Sequence, residues 1–196
     1  MTLNRFTIPY RLNIYNFRKF SITTTLYAIL FLSLTFTACK SKKNLGSASK
    51  PRTEKPSNKI AGKYANEMGV SKKAIKNGVL YNFIDDWEGT KYQYGGLSKR
   101  GVDCSGLVYL IYQEVYGKSI PRTTSQQVKI IKRKYESQLR EGDLVFFDFD
   151  GKKFSHVGVY LQNGYYVHAS TRRGVMIEKL RNPYTYKYFS RCGSVK

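Results

Sequence analysis

The run GVDCSGLVYLIYQEVYG, residues 101–117, decides the fold prediction. Asp103 is a residue type that caps helix N-termini, and the apolar residues that follow recur at spacings of three and four as far as Gly117. These features favour a helix from about Cys104 to Tyr116. The Cys104 thiol would then lie in the first turn, where free backbone amides and the helix dipole favour an anion. The stretch therefore predicts a nucleophilic thiolate at a helix N-terminus.

The segments on either side of this run also have helical character. Upstream, apolar residues at helical spacing predict a helix that begins after Ser71, continues through Trp87 and ends at Gly89. Downstream, the sequence predicts a further helix from Thr124 to about Lys134.

Four short β-rich runs follow these helices, separated by Asp-Gly, Asn-Gly and Arg-Gly pairs that favour turns. Helices that precede an antiparallel meander indicate an α+β fold, with the N-terminal helices packed on the sheet, rather than alternating βαβ units. The predicted strands cover residues 144–149, 155–161, 165–170 and 175–180.

The chain has two histidines, and the loop between their strands decides whether the imidazoles meet. A two-residue Asn-Gly turn would place His156 and His168 on opposite faces of the sheet. A three-residue loop, residues 162–164, sets His168 opposite Gly158 and diagonal to His156 on one face. Gly164 then takes the left-handed position of the turn. We predict the three-residue loop, with Gly158 leaving room for the second ring.

This arrangement predicts nucleophilic catalysis by Cys104. His156 would accept the thiol proton and return it to the leaving amine, while His168 would orient His156. A disulfide between Cys104 and Cys192 is the alternative, since oxidising compartments pair thiols. We expect Cys192 instead to be a small buried hydrophobe. The acidic residues 148–150 have no further ligand cluster beside them, so we expect neither a metal nor a cofactor.

The N-terminal region predicts export. Residues 1–38 combine a basic start with an uncharged apolar stretch, as in a signal peptide; a permanent membrane helix is the alternative. The sequence Phe-Thr-Ala-Cys at residues 36–39 is similar to a lipobox, which predicts that Cys39 is lipidated and becomes the new N-terminus. Residues 39–59 are polar and read as a tether from the membrane lipid, leaving 60–196 as the folded domain.

The net charge of +21 would also suit a nucleic-acid partner. About half of it lies in residues 1–59, which hold eleven Lys and Arg against one acidic residue. The rest is spread along the domain without a repeated basic motif. We therefore expect no nucleic-acid partner and a basic surface suited to an anionic envelope.

Several motifs together resemble the NlpC family of papain-like cell-wall cysteine peptidases, especially its small lipoprotein murein endopeptidases of Gram-negative bacteria. The match runs in collinear order over roughly residues 75–190. The motifs are KYQYGG (91–96), GVDCSGL (101–107), PRTT (121–124), REGDLVFF (140–147), HVGVY (156–160) and HAS (168–170).

The resemblance implies roles for individual residues. Cys104, His156 and His168 match the catalytic set of the family, and Tyr92 matches a tyrosine that helps to place the carbonyl or its oxyanion. Asp103 and Ser105 match positions that contact the amine end of a stem peptide in some members. Tyr92 could instead be a core tyrosine, and Asp103 could be only a helix cap.

The resemblance further implies a peptidoglycan endopeptidase. It would cut the D-alanyl to diaminopimelate cross-link or a bond of the stem peptide, as a monomer, lipid-anchored to the outer membrane and facing the periplasm. The alternatives are a papain-like amidase or acyl transferase, which would use the same residues, and a catalytically silent wall-binding lipoprotein.

Overall fold

A computed structural model of the chain describes residues 54–196. The predicted signal peptide, the predicted lipidation site Cys39 and most of the predicted tether lie outside the described residues. Four α-helices and eight strands are present in the described part. The helices are α1 (Asn58–Met68), α2 (Gly78–Trp87), α3 (Cys104–Glu114) and α4 (Thr124–Gln127).

Helix α1 begins inside the predicted tether. The Ser57 hydroxyl accepts a hydrogen bond from the Ile60 amide, which caps the helix, and Gly69 ends it in a left-handed conformation with φ of 65°. Its buried residues include Tyr64 and Met68, which belong to the main hydrophobic core. The tether prediction was therefore wrong at its C-terminal end, because Asn58 and Lys59 form the first turn of a packed helix.

The predicted helix from Ser71 to Trp87 is two elements. A 3₁₀ turn covers Lys72–Ala74, and α2 starts only at Gly78, where the Asn77 side chain accepts from the Leu80 amide at 3.1 Å. The Gly78 amide donates to the Glu54 carbonyl at 2.8 Å, which ties the N-terminal segment to this break. The periodicity predicted a helix here correctly, but Asn77 offered a better cap than Ser71.

Helix α3 confirms the prediction from the fold-deciding run. Asp103 has extended backbone geometry, and its carboxylate accepts from the Gly106 amide at 2.6 Å. The apolar face of the helix packs on the sheet, with Leu107, Val108 and Ile111 fully buried. The cap and this packing hold Cys104 in the first turn.

The sheet has six antiparallel strands in the order β3-β8-β4-β5-β6-β7, and β1 and β2 form a separate small hairpin. The four predicted strands are confirmed with slightly different ends, and the α+β fold is confirmed. The strands are β1 (Leu97–Ser98), β2 (Gly101–Val102), β3 (Ile131–Arg133), β4 (Leu144–Phe147), β5 (His156–Tyr160), β6 (Tyr165–Ser170), β7 (Gly174–Lys179) and β8 (Phe189–Val195).

Two parts of the sheet differ from the sequence prediction. The predicted helix from Thr124 to Lys134 stops after one turn, because Ile131 is buried as the start of the edge strand β3. Its partner β8 was not predicted; most of its residues are only half-buried, so the apolar alternation is weak. Both strands derive their structure from pairing with each other rather than from local sequence preference.

The hairpin between β5 and β6 has the predicted three-residue loop. Val159 pairs with Val167 and Tyr160 with Tyr166, and the Tyr165 amide closes the loop on the Gln162 carbonyl at 2.9 Å. Gly164 has the predicted left-handed backbone, with φ of 75°.

The expected reason for Gly158 was wrong. A Cβ atom at Gly158 would clash with the ring of Tyr166 and the carbonyl of Val167. The space above this glycine therefore belongs to Tyr166 rather than to the His168 ring.

The loop is held from outside by the N-terminal helical segment. The Gln162 amide group donates to the Ala74 carbonyl at 2.9 Å and to Glu141 at 3.1 Å, and the Asn163 amide group donates to the Met68 carbonyl at 2.7 Å. These bonds oppose a change of register that would move His168 to the other face.

We expect Gln162→Ala to lower the free energy of unfolding by about 1 to 3 kcal/mol, because it leaves part-buried acceptors without a donor. Urea denaturation measures this loss. Gln113→Ala on α3 is the control, because that side chain is exposed. Equal unfolding midpoints for the two variants would contradict this assignment.

Candidate active site

The Cys104 thiol lies at the N-terminus of α3, directly beneath the first residues of β5. Cys104 is only 5% exposed. Its Sγ atom lies 4.0 Å from the Thr124 hydroxyl, and the Val157 backbone amide donates a hydrogen bond to it. Val157 follows His156 in the chain, so the thiol lies against the backbone of the strand that carries the first imidazole. Cys104 and Cys192 are both free and belong to separate hydrophobic clusters, so the structure does not form the alternative disulfide.

The expected low pKa of the thiol is wrong. Burial raises the pKa of Cys104 above its ordinary value, and the nearby Asp103 charge raises it further. Hydrogen bonds from the Val157 amide and the Thr124 hydroxyl lower the pKa, but they do not outweigh burial. These effects together favour the neutral thiol over the thiolate.

The two imidazoles are in direct contact. His156 Nε2 lies 2.8 Å from His168 Nδ1, and the ring planes are nearly perpendicular at 86°. This bond occupies the far nitrogen of His156 and leaves Nδ1 as the nitrogen that can serve the thiol. The structure thus brings the two predicted catalytic histidines into contact, and it places the Cys104 sulfur against the backbone of β5, the strand that carries His156.

His156 is neutral over the whole physiological range. Burial, together with the adjacent His168, lowers its pKa from 6.5 to about 3, against an opposing effect of Glu178. The rings of Phe147 and Phe149 pack against His156, with centroids 6.0 and 5.4 Å away, and keep water from it. The imidazole can therefore act as a base without first losing a proton.

Tyr92 lies at the rim of the site, next to the chain segment that precedes α3. It forms a β-bridge with Val102, one residue before the helix cap. Burial raises its pKa to about 12, and the neighbouring Cys104 and Asp103 contribute to the rise. The phenol therefore keeps its proton at neutral pH and can donate a hydrogen bond.

Asp103 and Ser105 lie inside a hydrogen-bond network rather than on the open surface. Both carboxylate oxygens of Asp103 accept from Arg122 at 2.8 Å, and one also accepts from the Gly95 amide at 2.7 Å. Ser105 accepts from Arg122 at 3.0 Å. Burial would raise the pKa of Asp103, but Arg122 and the backbone amides of Gly106 and Gly95 lower it overall. The network fixes the loop before α3 and the helix cap together.

Sequence reasoning missed two residues of this site. Thr124 approaches the thiol from the short helix α4, and Glu178 approaches the second imidazole from β7, with its Oε2 atom 3.4 Å from His168 Nε2. The available signal for Glu178 was an acidic residue directly after three apolar residues of a predicted strand. Thr124 belongs to the PRTT motif, but that motif did not indicate a contact with the thiol, because only the tertiary fold brings α4 to α3.

A groove of about 1020 Å³ opens beside the histidines. Tyr92, His156 and His168 line it, and Cys104 is not among the lining residues. Two highly exposed tyrosines stand on it, Tyr94 at 90% and Tyr184 at 82% exposure. The lining also includes charged residues of both signs, namely Asp150, Lys152, Arg172, Arg173 and Glu178.

Residues 54–196 contain neither a metal-binding cluster nor a membrane-spanning helix. In this part of the chain no three His, Cys, Asp or Glu side chains come together in a way that could hold a metal ion. Among the helices described there, none has the length and apolar character needed to cross a bilayer.

Comparison with known proteins places this geometry in a family. Residues 89–193 match the model of the NlpC/P60 family. The chain belongs to that family. A crystal structure of an NlpC/P60 family protein from Bacillus cereus superposes with a TM-score of 0.55 at 29% identity, covering 60% of this chain and 39% of that one. The papain-like fold that the resemblance implied is thereby confirmed.

Two curated relatives come from Escherichia coli K12. The chain is 39% identical over 121 residues to the murein DD-endopeptidase MepS/murein LD-carboxypeptidase, a match that covers 62% of this chain and 63% of the relative. It is 43% identical over 111 residues to the probable endopeptidase NlpC, covering 56% of this chain and 72% of the relative. The match to MepS spans less than two thirds of that protein.

The low pKa of His156 predicts how the free energy of unfolding depends on pH. Between pH 6.5 and about 3 the unfolded chain binds a proton at His156 that the folded chain does not. The free energy of unfolding should therefore fall as the pH falls through this range, by up to about 1.4 kcal/mol per pH unit from this group. His156→Gln should show a correspondingly shallower dependence in urea denaturation. Parallel curves for the two proteins would rule out the buried neutral imidazole.

Proposed function

We propose that the protein is a peptidoglycan endopeptidase in which Cys104 is the nucleophile. The observation that supports this most is the 2.8 Å contact of His156 with His168, on a strand whose Val157 amide hydrogen-bonds the sulfur of Cys104 at a helix N-terminus. This is the geometry that a base needs when a third group orients it. The family and the endopeptidase names of its relatives support the same conclusion.

The proposed reaction starts from a neutral thiol and a neutral imidazole. As the sulfur attacks the substrate carbonyl, His156 Nδ1 takes the thiol proton, so that charge separates only when the substrate is present. The developing oxyanion accepts hydrogen bonds from the Cys104 amide and the Tyr92 phenol; one such donor typically lowers the barrier by about 3 kcal/mol. The protonated His156 then gives its proton to the leaving amine.

A water molecule completes the cycle. His156 takes a proton from this water, the resulting hydroxide attacks the thioester on Cys104, and the proton returns to the departing sulfur. Bond breaking and bond making balance without a metal or a cofactor.

The proposed substrate bond is the D-alanyl to diaminopimelate cross-link. The groove offers cationic side chains, Lys152 and Arg172, and the anion Asp150, which suit a peptide that carries both carboxylates and amines. The relative MepS is named a murein DD-endopeptidase. A bond of the stem peptide, between γ-D-glutamate and diaminopimelate, is the second candidate.

The engagement of Asp103 and Ser105 by Arg122 favours the cross-link. Both groups have their hydrogen-bonding atoms occupied within the protein, so little is left to bind a free amine. A cross-link cutter does not need that contact. We therefore expect Asp103 and Ser105 to contact the substrate only if the protein cuts the stem peptide.

The proposed location is the cell envelope. A chain that acts on peptidoglycan must meet it outside the cytoplasm, and the lipobox-like residues 36–39 would supply a lipid anchor at Cys39. The polar segment from residue 40 to about residue 57 would then span the distance from the outer membrane to the wall in the periplasm. The proposal treats the domain as a monomer.

Digestion of purified sacculi tests the proposed function. The wild-type protein should convert cross-linked muropeptide dimers into monomers, identified by mass spectrometry. Cys104→Ala should reduce the rate by at least about 1,000-fold, because the thioester route is lost. Cys192→Ala is the matched control and should keep its activity, since Cys192 lies in the second hydrophobic cluster.

The products also separate the alternatives. Equal digestion by the Cys104→Ala protein would contradict the proposal. Sacculus binding without cleavage by the wild-type protein would favour the silent wall-binding lipoprotein. Transfer of an acyl group to an added amine, without hydrolysis, would favour the acyl transferase, and release of stems from the glycan would favour the amidase.

A further inference from the structure

Glu178 is a buried carboxylate whose two oxygens have different partners. The residue is 8% exposed and pairs across the sheet with Tyr166. Its Oε1 atom accepts from Arg173 at 2.8 Å and from Asn182 at 3.0 Å. Its Oε2 atom accepts from the Tyr166 phenol at 3.0 Å and lies 3.4 Å from His168 Nε2. One oxygen is thus anchored, and the other is directed at the histidine pair.

One requirement decides which atoms donate and which accept in the contacts that link His156, His168 and Glu178. His156 can take the Cys104 proton at Nδ1 only if its own proton is on Nε2. The 2.8 Å contact then makes His168 Nδ1 an acceptor, which places the proton of His168 on Nε2. The base is therefore competent in only one of the two tautomers of each ring.

His168 Nε2 is the atom at which this choice can be controlled. It is buried and has no well-aligned hydrogen-bond partner among the described residues, and the carboxylate of Glu178 approaches it to 3.4 Å. A carboxylate accepts protons and cannot donate one while it is ionised. It therefore favours an N–H at Nε2 over a bare nitrogen.

We propose that Glu178 is a positioning residue that fixes the tautomer of His168 and, through it, the tautomer of His156. In this chain of contacts the carboxylate also stabilises the positive charge that His156 gains when Cys104 loses its proton. The inference rests on the proposed function for its catalytic consequence, but not for the tautomers themselves.

The surroundings of the carboxylate support this role. The nearby His168 imidazole lowers the pKa of Glu178 to about 2, so the group stays ionised wherever the enzyme is folded and active. The charged or titratable groups that face it are His168 and Tyr166 from β6 and Arg173 from the turn after it. Arg173 contacts only Oε1, so its charge does not displace the histidine from Oε2.

The isosteric variant Glu178→Gln should reverse both tautomers. Arg173 and Asn182 donate to the Oε1 position, so the amide carbonyl will occupy that place. The amide NH₂ group then faces His168 Nε2 and donates to it. His168 would carry its proton on Nδ1 and donate it to His156, whose own proton would move to Nδ1, where it blocks transfer from the thiol.

Nitrogen-15 NMR of histidine-labelled protein measures this directly, because the chain has two histidines and so four ring nitrogens. At neutral pH the wild type should show a protonated Nε2 and a bare Nδ1 in both rings. Glu178→Gln should show the reverse. Glu136→Gln is the matched control, because Glu136 also binds an arginine and a tyrosine but no histidine, and it should keep the wild-type pattern.

Muropeptide cleavage supplies the second readout. Glu178→Gln should lower kcat by at least about 100-fold with little change in KM, since a wrong tautomer disables the base. Glu178→Asp keeps the charge and should retain the wild-type tautomers and more activity than Glu178→Gln.

The outcomes separate this proposal from the proposed function. A bare Nε2 on His168 in the wild type would overturn the role of Glu178 without any variant, and so would wild-type tautomers in folded Glu178→Gln. A wild type with the expected tautomers that cuts no muropeptide would overturn the endopeptidase function and leave the tautomer assignment standing.

Discussion

The contact between His156 Nε2 and His168 Nδ1 is the constraint on which the site depends. It requires both imidazoles on one face of the sheet, and that requires three residues rather than two between the strands. The side chains of Gln162 and Asn163 bind the N-terminal helical segment and keep the loop in that form. The length of the loop between β5 and β6 thus determines whether His168 can bind His156 Nε2 and leave Nδ1 of His156 free to act as the base.

Burial determines how the site is charged. The same exclusion of water raises the pKa of Cys104 and lowers that of His156, so the resting pair is uncharged. An uncharged pair costs less to bury than an ion pair, and it delays charge separation until a carbonyl is in place. Glu178 is the ionised group at the end of the chain of contacts, and its charge opposes the effect of burial on His156.

The sequence predicted those parts of the molecule that depend on local pattern. Asp103 as a cap, α3, four strands and the hairpin loop follow from spacing and from turn chemistry, and all are confirmed. The break before Gly78 and the pairing of β3 with β8 depend on contacts between distant segments, which periodicity does not encode. The thiol pKa was predicted with the wrong sign, because a helix N-terminus is visible in a sequence and the extent of burial is not.

The pH dependence of Cys104 alkylation tests most directly whether the nucleophile rests as an uncharged thiol whose proton His156 accepts. Iodoacetamide modification of the native protein, read at Cys104 by peptide mass spectrometry, should accelerate about tenfold per pH unit from about pH 6 to beyond about pH 8.5, as for a thiol of raised pKa. A rate that is already constant from about pH 5 would reveal a thiolate paired with a protonated imidazole and would contradict the account. A Cys104 that stays unmodified at every pH at which the protein is folded would contradict it too.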